Sequence, residues 1–379
     1  DIILTSYALA SRDQEFIGRN FFSSLVLDEV QNVKNSQTRQ FQAIASFQAA
    51  HRVALTGTPV ENRIVELWSV MEILNPGYLG SRTAFRKKYA TPIEEQSDDE
   101  AAAELRLMIR PFLLRRKKTD ETVIRDLPEK MEMQVLCSLT HEQASLYQAV
   151  LQDLTRELAS TDGMKRRGTI LAALTRLKQV CDHPGLLRPG NPAGPERSGK
   201  VTRLIEMLQE VDAAGEAAII FTQYAGFARM LAESIHGTLN REVLLMTGGT
   251  PRHKRDELIH QFMHRSGPPF FVISLRAGGT GLNLTRATHV FHADRWWNPA
   301  VEDQATDRTY RIGQTRRVQV HRLITAGTLE EEIDEMIQRK RDVADQVITS
   351  REDWITELST GELMDILRMR EGVFGDEGA

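Results

Sequence analysis

Short apolar runs, each ending in polar or small side chains, recur along this chain in two separate series. The first comprises DIILTSY (1–7), SSLVLDE (23–29) and HRVALTGTP (51–59), with helical periodicity between them, as in SQTRQFQAIASF (36–47). The second comprises AAIIFTQY (217–224), VLLMTGG (243–249), PFFVISL (269–275), THVFHAD (288–294) and VQVHRLI (318–324). Strands alternating with helices predict parallel sheets with helices on their faces, and such sheets bind ligands beyond the carboxyl ends of their strands. Between the series, residues from about 62 to 185 carry the 3.6-residue periodicity of charge-rich helices. The Pro- and Gly-dense stretch RPGNPAGPERSG (188–199) is expected to be a linker. A long amphipathic helix, TLEEEIDEMIQRKRDVADQVI (328–348), and a short polar helical end complete the pattern. Residues from 198 to about 345, which hold the whole second series, are expected to form an independently stable unit.

The strand ends of the first series carry Thr5 and Ser6, then Asp28 and Glu29, then Thr56, Gly57 and Thr58. Two adjacent carboxylates after an apolar strand have a chemical reading and a bland one. In the chemical reading Asp28 holds Mg²⁺ and Glu29 orients an attacking water beside a nucleotide. In the bland reading the strand has reached the surface and turned. A nucleotide site also needs a loop to cradle phosphates, normally G-x-x-x-x-G-K-[ST]. The one near match, GPERSGKV (194–201), ends in Val201 where a hydroxyl is needed, and it follows a linker where a buried strand is needed. It is expected to be a linker running into a helix start.

The second series holds two further features that suit phosphate chemistry. SLRAGGTGLNL (274–284) places a Gly-rich loop after an apolar strand, where backbone N–H groups can approach an anion, although a tight turn would look the same. EDQATDRTYRIGQ (302–314) is expected to be a helix ended by Gly313, which would put Arg308 and Arg311 on one face. Two guanidiniums so placed could clamp a transferring phosphate, or be an ordinary exposed pair.

Bulk properties narrow the classes. A net charge of −4 excludes a globally basic nucleic-acid binder, so positive charge must act locally, as in RRKK (115–118), KRR (165–167), RHKR (252–255) and Arg316–Arg317. Two cysteines argue against a disulfide scaffold and suit a reducing compartment. Cys181 and His183 in CDHP lack two further zinc ligands and are expected to pack. No apolar run approaches the roughly 20 residues of a membrane span, so no membrane partner is expected.

The order of these motifs resembles the Swi/Snf-type family of helicase-like ATPases in helicase superfamily two. The resemblance runs through TSY (5–7), DEVQ (28–31), LTGTP (55–59), PFLLRRKK (111–118), RLKQVCDHPGLL (176–187) and IIFTQY (219–224). It continues through SLRAGGTGLNL, WWNP (296–299) and DQATDRTYRIGQ (303–314). It implies an α/β fold of two RecA-like lobes, with ATP and Mg²⁺ between them and double-stranded DNA across both. Asp28 would then hold Mg²⁺ and Glu29 would activate water. Gln31, Thr56, Gly57, Thr58, Gly281 and Gln304 would couple to the nucleotide, and Arg308 and Arg311 would be arginine fingers. Thr5, Ser6, Gln223 and Thr280 would face the DNA backbone, contacts that position a protein without reading sequence. Trp297 matches a coupling position, or is a core aromatic.

The family pattern also has a strand and phosphate loop before TSY, absent here, so the chain is expected to hold an incomplete first lobe and a complete second one. The implied division is 1–78 for the end of lobe one and 79–187 for helical insertions. It continues with 188–199 as linker, 200–329 as lobe two and 330–371 as a C-terminal helical segment. Its implied partners are double-stranded DNA, a protein–DNA complex and the missing N-terminal part of lobe one. Its expected location is cytoplasmic and nucleoid-associated if bacterial, the reading the compact helical blocks favour, and nuclear if eukaryotic. A non-catalytic DNA- or protein-binding module on the same scaffold is the alternative, and a strand-separating helicase a third.

Overall fold

A computed structural model describes residues 1–56, 64–96, 98–114, 127–161, 163–187, 194–275, 282–343 and 358–370. The chain divides into two compact units, residues 1–116 with 340–351 and residues 117–339 with 352–379.

In the first unit, strands β1 (Phe21–Leu27) and β2 (Gln48–Ala54) pair in parallel, with Phe21 opposite Gln48 and Leu27 opposite Ala54. Ahead of them lie helices α1 (Tyr7–Arg12) and α2 (Gln14–Gly18), and α3 (Arg39–Ser46) makes the crossover between the strands. Thr38 caps α3 by accepting a hydrogen bond from Phe41 N at 3.2 Å, and Phe41 and Ile44 face inward. These meet Leu27, Val30, Val33 and Ile73 in one core. A second core joins Ile64, Leu67, Trp68 and Met71 of α4 (Ile64–Leu74) to residues of α5 (Arg82–Phe85), α6 (Thr91–Gln96), α7 (Asp99–Ile109) and the π-helical turn Arg86–Ala90, including Phe85, Tyr89 and Leu105.

The expected first strand does not form. Residues 1–6 have no regular structure and Ile2 and Leu4 are 97% and 96% exposed. An extended segment gains stability from a sheet neighbour, and among the described residues β1 and β2 pair only with each other. Ser6 instead caps α1, accepting from Leu9 N at 3.3 Å.

The second unit is built on a six-stranded sheet of β3 (Lys130–Cys137), β4 (Ala218–Thr222), β5 (Val243–Met246), β6 (Phe270–Ser274), β7 (His289–His292) and β8 (Val318–Thr325). Its order is β3-β8-β7-β4-β6-β5, and every pair is parallel. All residues of β4 and β6 are buried, as strands covered on both faces must be. One face packs on α10 (Gly199–Ala213) and α11 (Ala225–Leu239) through Val201, Leu204, Leu208, Phe227 and Leu231. The other packs on Phe262 of α12 (Arg252–Met263), Ala305 of α13 (Pro299–Thr306), Leu284 and Tyr310.

A third core joins α8 (His141–Leu158), α9 (Gly163–Asp182), α14 (Leu329–Val343) and α15 (Thr360–Leu367) around Tyr147, Leu177, Leu329 and Leu363. Strand β3 lies within the stretch expected to be helical. Met131, Met133 and Val135 alternate with Lys130, Glu132 and Gln134, the two-residue period of a strand set among helical neighbours.

Candidate functional site

The carboxyl ends of β1 and β2 carry a connected polar cluster. Leu55 N donates to Leu27 O at 2.7 Å and Val30 N to Leu55 O at 3.1 Å, so the chain after β1 stays tied to the chain after β2. Between these bonds Glu29 adopts φ 49° and ψ 52°, a left-handed conformation costly for a side chain with a Cβ. The Asp28 carboxylate supports that turn by accepting from Glu29 N at 3.0 Å. Gln31 bridges the two strand ends. Its amide nitrogen donates to Glu29 Oε2, and its amide oxygen accepts from Thr56 Oγ1 at 2.7 Å. Asp28, Glu29, Gln31 and Thr56 are therefore one group. Gly57 and Thr58 lie outside the described residues.

Tyr7, which the sequence did not single out, completes the cluster. Its hydroxyl donates to Asp28 O at 2.6 Å. Burial, then the nearby charges of Asp28 and Glu29, push its pKa up to about 12. Thr5 and Ser6 precede it, with Ser6 as the N-cap of α1. The donor set suits Mg²⁺, which prefers hard oxygen ligands such as Asp28 and binds few of them directly.

In the second unit the chain reverses direction across the sheet around β4, the kind of switch point beside which open sheets bind ligands. Gln223 lies at the end of β4, and its N and Nε2 groups reach the Asp294 carboxylate and Arg295 O, the latter at 3.2 Å. Asp294 also accepts from the Thr222 hydroxyl; burial, partly offset by Lys178, pushes its pKa up to about 6. Trp297 is a core aromatic here. It packs with Leu177 and Leu329, and the buried Lys178 Nζ lies 5.4 Å from its ring centre while donating to Arg295 O at 2.6 Å. Thr280 and Gly281 lie outside the described residues.

The expected helix through Gly313 ends early, at Thr306. Beyond it the chain folds into successive turns, with Arg308 N bonded to Ala305 O, Tyr310 N to Thr306 O and Gln314 N to Arg311 O. The cause is the loop beneath: Leu284 N donates to Arg308 O at 3.0 Å, and the buried Gln314 amide donates to the carbonyls of Thr285 and Ala287. Gln304 lies on α13, half-buried. Arg308 and Arg311 therefore share a turn-built segment rather than a helix face, and Arg311 is exposed, with Nη1 3.5 Å from Leu282 O.

Two other sequence features have structural roles. Lys200 of GPERSGKV is 1% exposed, with Nζ 2.8 Å from Asp182 and 2.7 Å from Glu330. Burial works against its charge, but the two carboxylates overcome that and raise its pKa. A lysine held this way cannot reach a phosphate. Gly199 beside it permits close approach, since a Cβ there would meet Ser138 O at 2.0 Å. In CDHP the His183 Nδ1 accepts from Gly185 N at 2.9 Å and Nε2 lies 3.0 Å from Gly194 O, while Cys181 is buried in the third core.

Residues 1–186 match the SNF2-related domain and residues 199–313 the helicase conserved C-terminal domain. The structure of the Sulfolobus solfataricus SWI2/SNF2 ATPase core in complex with dsDNA is 45% identical. It aligns with a TM-score of 0.58 over 98% of this chain and 78% of that one. The chain belongs to the SNF2 family of helicase-like ATPases. Its mixed α/β units with parallel sheets are those of the family's RecA-like lobes. A putative ATP-dependent helicase/translocase of Bacillus subtilis, YwqA, is 46% identical, the match covering 97% of this chain and 40% of that protein. The Zorya protein ZorD of Escherichia coli is 38% identical over 93% of this chain and 34% of its own length. The mouse DNA excision repair protein ERCC-6 is 31% identical over 92% and 25%. This SNF2 chain thus spans 40% or less of these three curated relatives.

Proposed function

We propose that this SNF2-family chain supplies the water-activating carboxylates and the arginine fingers of an ATP-driven translocase on double-stranded DNA that remodels protein–DNA complexes. The observation that carries the reading is the cluster of Asp28, Glu29, Gln31 and Thr56 at the ends of two parallel strands. The Sulfolobus relative studied with dsDNA supports duplex DNA as the track.

Asp28 offers its carboxylate to Mg²⁺, which when bound neutralises phosphate charge. Glu29 accepts a hydrogen bond from the attacking water and takes its proton. Gln31 holds the Glu29 carboxylate and, through Thr56, ties its position to the segment after β2. Arg308 and Arg311 stabilise charge on the transferring phosphoryl group. Gln223, Thr280, Thr5 and Ser6 contact DNA phosphates. Remodelling follows when each cycle moves the enzyme along DNA and displaces what is bound there.

The sequence holds no phosphate loop of the G-x-x-x-x-G-K-[ST] pattern, and the near match is locked at Lys200. A binding module without hydrolysis, on the same scaffold, is the second reading. Phosphate release with and without duplex DNA separates the two. Residues 1–379 alone are expected to show no release above background. Joined to the phosphate-loop half of a first lobe they are expected to gain DNA-stimulated release. In that active protein Glu29→Gln should bind ATP without hydrolysing it, and Arg311→Ala should lose on the order of 10³-fold in rate. An extended protein that binds DNA but never hydrolyses ATP would establish the module instead.

A further inference from the structure

The second unit buries a charge network that the proposed chemistry does not use. Arg295 and Glu302 are fully buried; Arg322 and Asp334 are 3% and 5% exposed. Arg295 Nη1 pairs with Glu302 Oε2, and its Nη2 lies 2.6 Å from Asp334 Oδ1 on α14. Glu302 Oε1 accepts from Trp296 N at 2.8 Å. Arg322 of β8 lies 3.5 Å from Glu302 through Nε and 2.7 Å from Glu132 of β3 through Nη1. Asp334 Oδ2 accepts from Gln134 of β3. Two cations and two anions thus balance in the interior.

We propose that Arg295 is a positioning residue for Arg308 and Arg311, acting through Glu302 on helix α13. The proposal rests on reading those two arginines as fingers. Helix α13 has eight residues, too few to hold its own conformation or direction. Its start is set by Asn298, whose side chain accepts from Ala300 N at 3.0 Å, and by Pro299 at the first helical position. Glu302 is the carboxylate of that first turn, and its oxygens bind Arg295 Nη1 and the backbone N–H of Trp296. The remaining guanidinium reach goes to α14, so the helix is fixed against two elements at once.

The far end of α13 is held by the Thr306 hydroxyl, 2.8 Å from His292 Nε2, and the next residues lead into Arg308 and Arg311. Buried ion networks add little net stability compared with apolar packing. What a planar guanidinium between two carboxylates does provide is one orientation. Orientation is what a finger needs, because a misplacement of about 1 Å costs on the order of 10²-fold in rate.

The test compares Arg295→Lys, the double variant Arg295→Met with Glu302→Gln, and Arg311→Ala in the ATPase-active protein. The double variant removes a cation and an anion together, so the number of buried charges stays balanced, although Asp334 loses its contact with Arg295. Steady-state kcat, KM for ATP, duplex affinity and melting temperature are read for each. The expected result is a kcat lowered about 10²-fold in the double variant, with KM and duplex affinity within about twofold of wild type. Arg295→Lys keeps the charge but reaches one carboxylate at a time, and should lie between. A purely structural role would move the melting temperature and leave kcat per folded molecule unchanged. Wild-type kcat in a folded double variant, with Arg311→Ala inactive, overturns the positioning role and leaves the fingers standing. Should the double variant not fold, wild-type kcat in Arg295→Lys has the same force. Full activity of Arg311→Ala removes the finger reading itself, and this inference with it.

Discussion

Tyr7 reaches across from α1 to the Asp28 carbonyl, a bond that adds to the Leu55 pairings in holding the backbone at the end of β1. A neutral hydrogen bond of this kind contributes about 1 kcal/mol. Tyr7→Phe keeps the ring and removes the bond. It should lower stability by about that amount and reduce hydrolysis more than its effect on folding explains, as urea unfolding and phosphate release together would measure. An unchanged rate would mean that the turn at Glu29 is held well enough by Asp28 and Leu55.

The carboxylate cluster was legible in the sequence because its members lie within a few residues of two strand ends. Asp28, Glu29 and Gln31 come from one stretch and Thr56 from the next strand. Tyr7 and Arg295 were not legible as site residues. Their roles depend on partners 21 residues away for Tyr7, at the Asp28 carbonyl, and on helix α14 for Arg295, at Asp334.

At the scale of elements, strand β8 carries the clearest dependence on pH. His321 stacks on Phe291 with ring centres 4.5 Å apart, and its Nε2 lies 3.1 Å from Nδ1 of His289. His289 is in turn 2.8 Å from Glu216, which also pairs with Arg316. Burial, and then the His289 ring, lower the His321 pKa to about 4. The unfolded chain therefore takes up this proton first. The stability His321 contributes is present above about pH 6.5 and is lost as pH falls towards 4, by up to about 3 kcal/mol.

Asp294 has the opposite sign within part of the same window, because a carboxyl raised to about 6 destabilises the fold as rising pH ionises it. The difference between wild type and His321→Phe isolates the histidine. On going from pH 7.5 to pH 5 the urea midpoint of wild type should fall relative to that of the variant. An equal change in both would place the pH dependence elsewhere. Of the elements themselves, β4 to β8 were readable as buried apolar runs. DIILTSY looked the same and is no strand, since periodicity reports what a segment can do and not whether a neighbour exists. The helix at 302–314 was overextended for a related reason. Its sequence permits helix, and the loop at 284–287 takes the hydrogen bonds instead.

At the scale of the whole molecule, the position of β3 changes where a stable piece must begin. β3 pairs with β8 along its full length, from Lys130 opposite Val318 to Cys137 opposite Thr325. α8 and α9 close the third core against α14 and α15. A piece from 198 to about 345 would leave the edge of β8 open and that core bare. Residues 127–370 should melt cooperatively as a monomer, while 198–345 should melt lower or self-associate. Equal melting of the two monomeric pieces would show the edge strand to be dispensable.

The same pairing sets a schedule for synthesis. β3 leaves the ribosome first among the strands of its sheet, yet β8, the one strand it pairs with among the described residues, follows roughly 190 residues later. At ordinary elongation rates that is roughly ten to forty seconds with an unsatisfied strand edge next to the nascent chain. Lys130, Glu132 and Gln134, set between the apolar residues of β3, disfavour its pairing with a foreign strand edge during that wait.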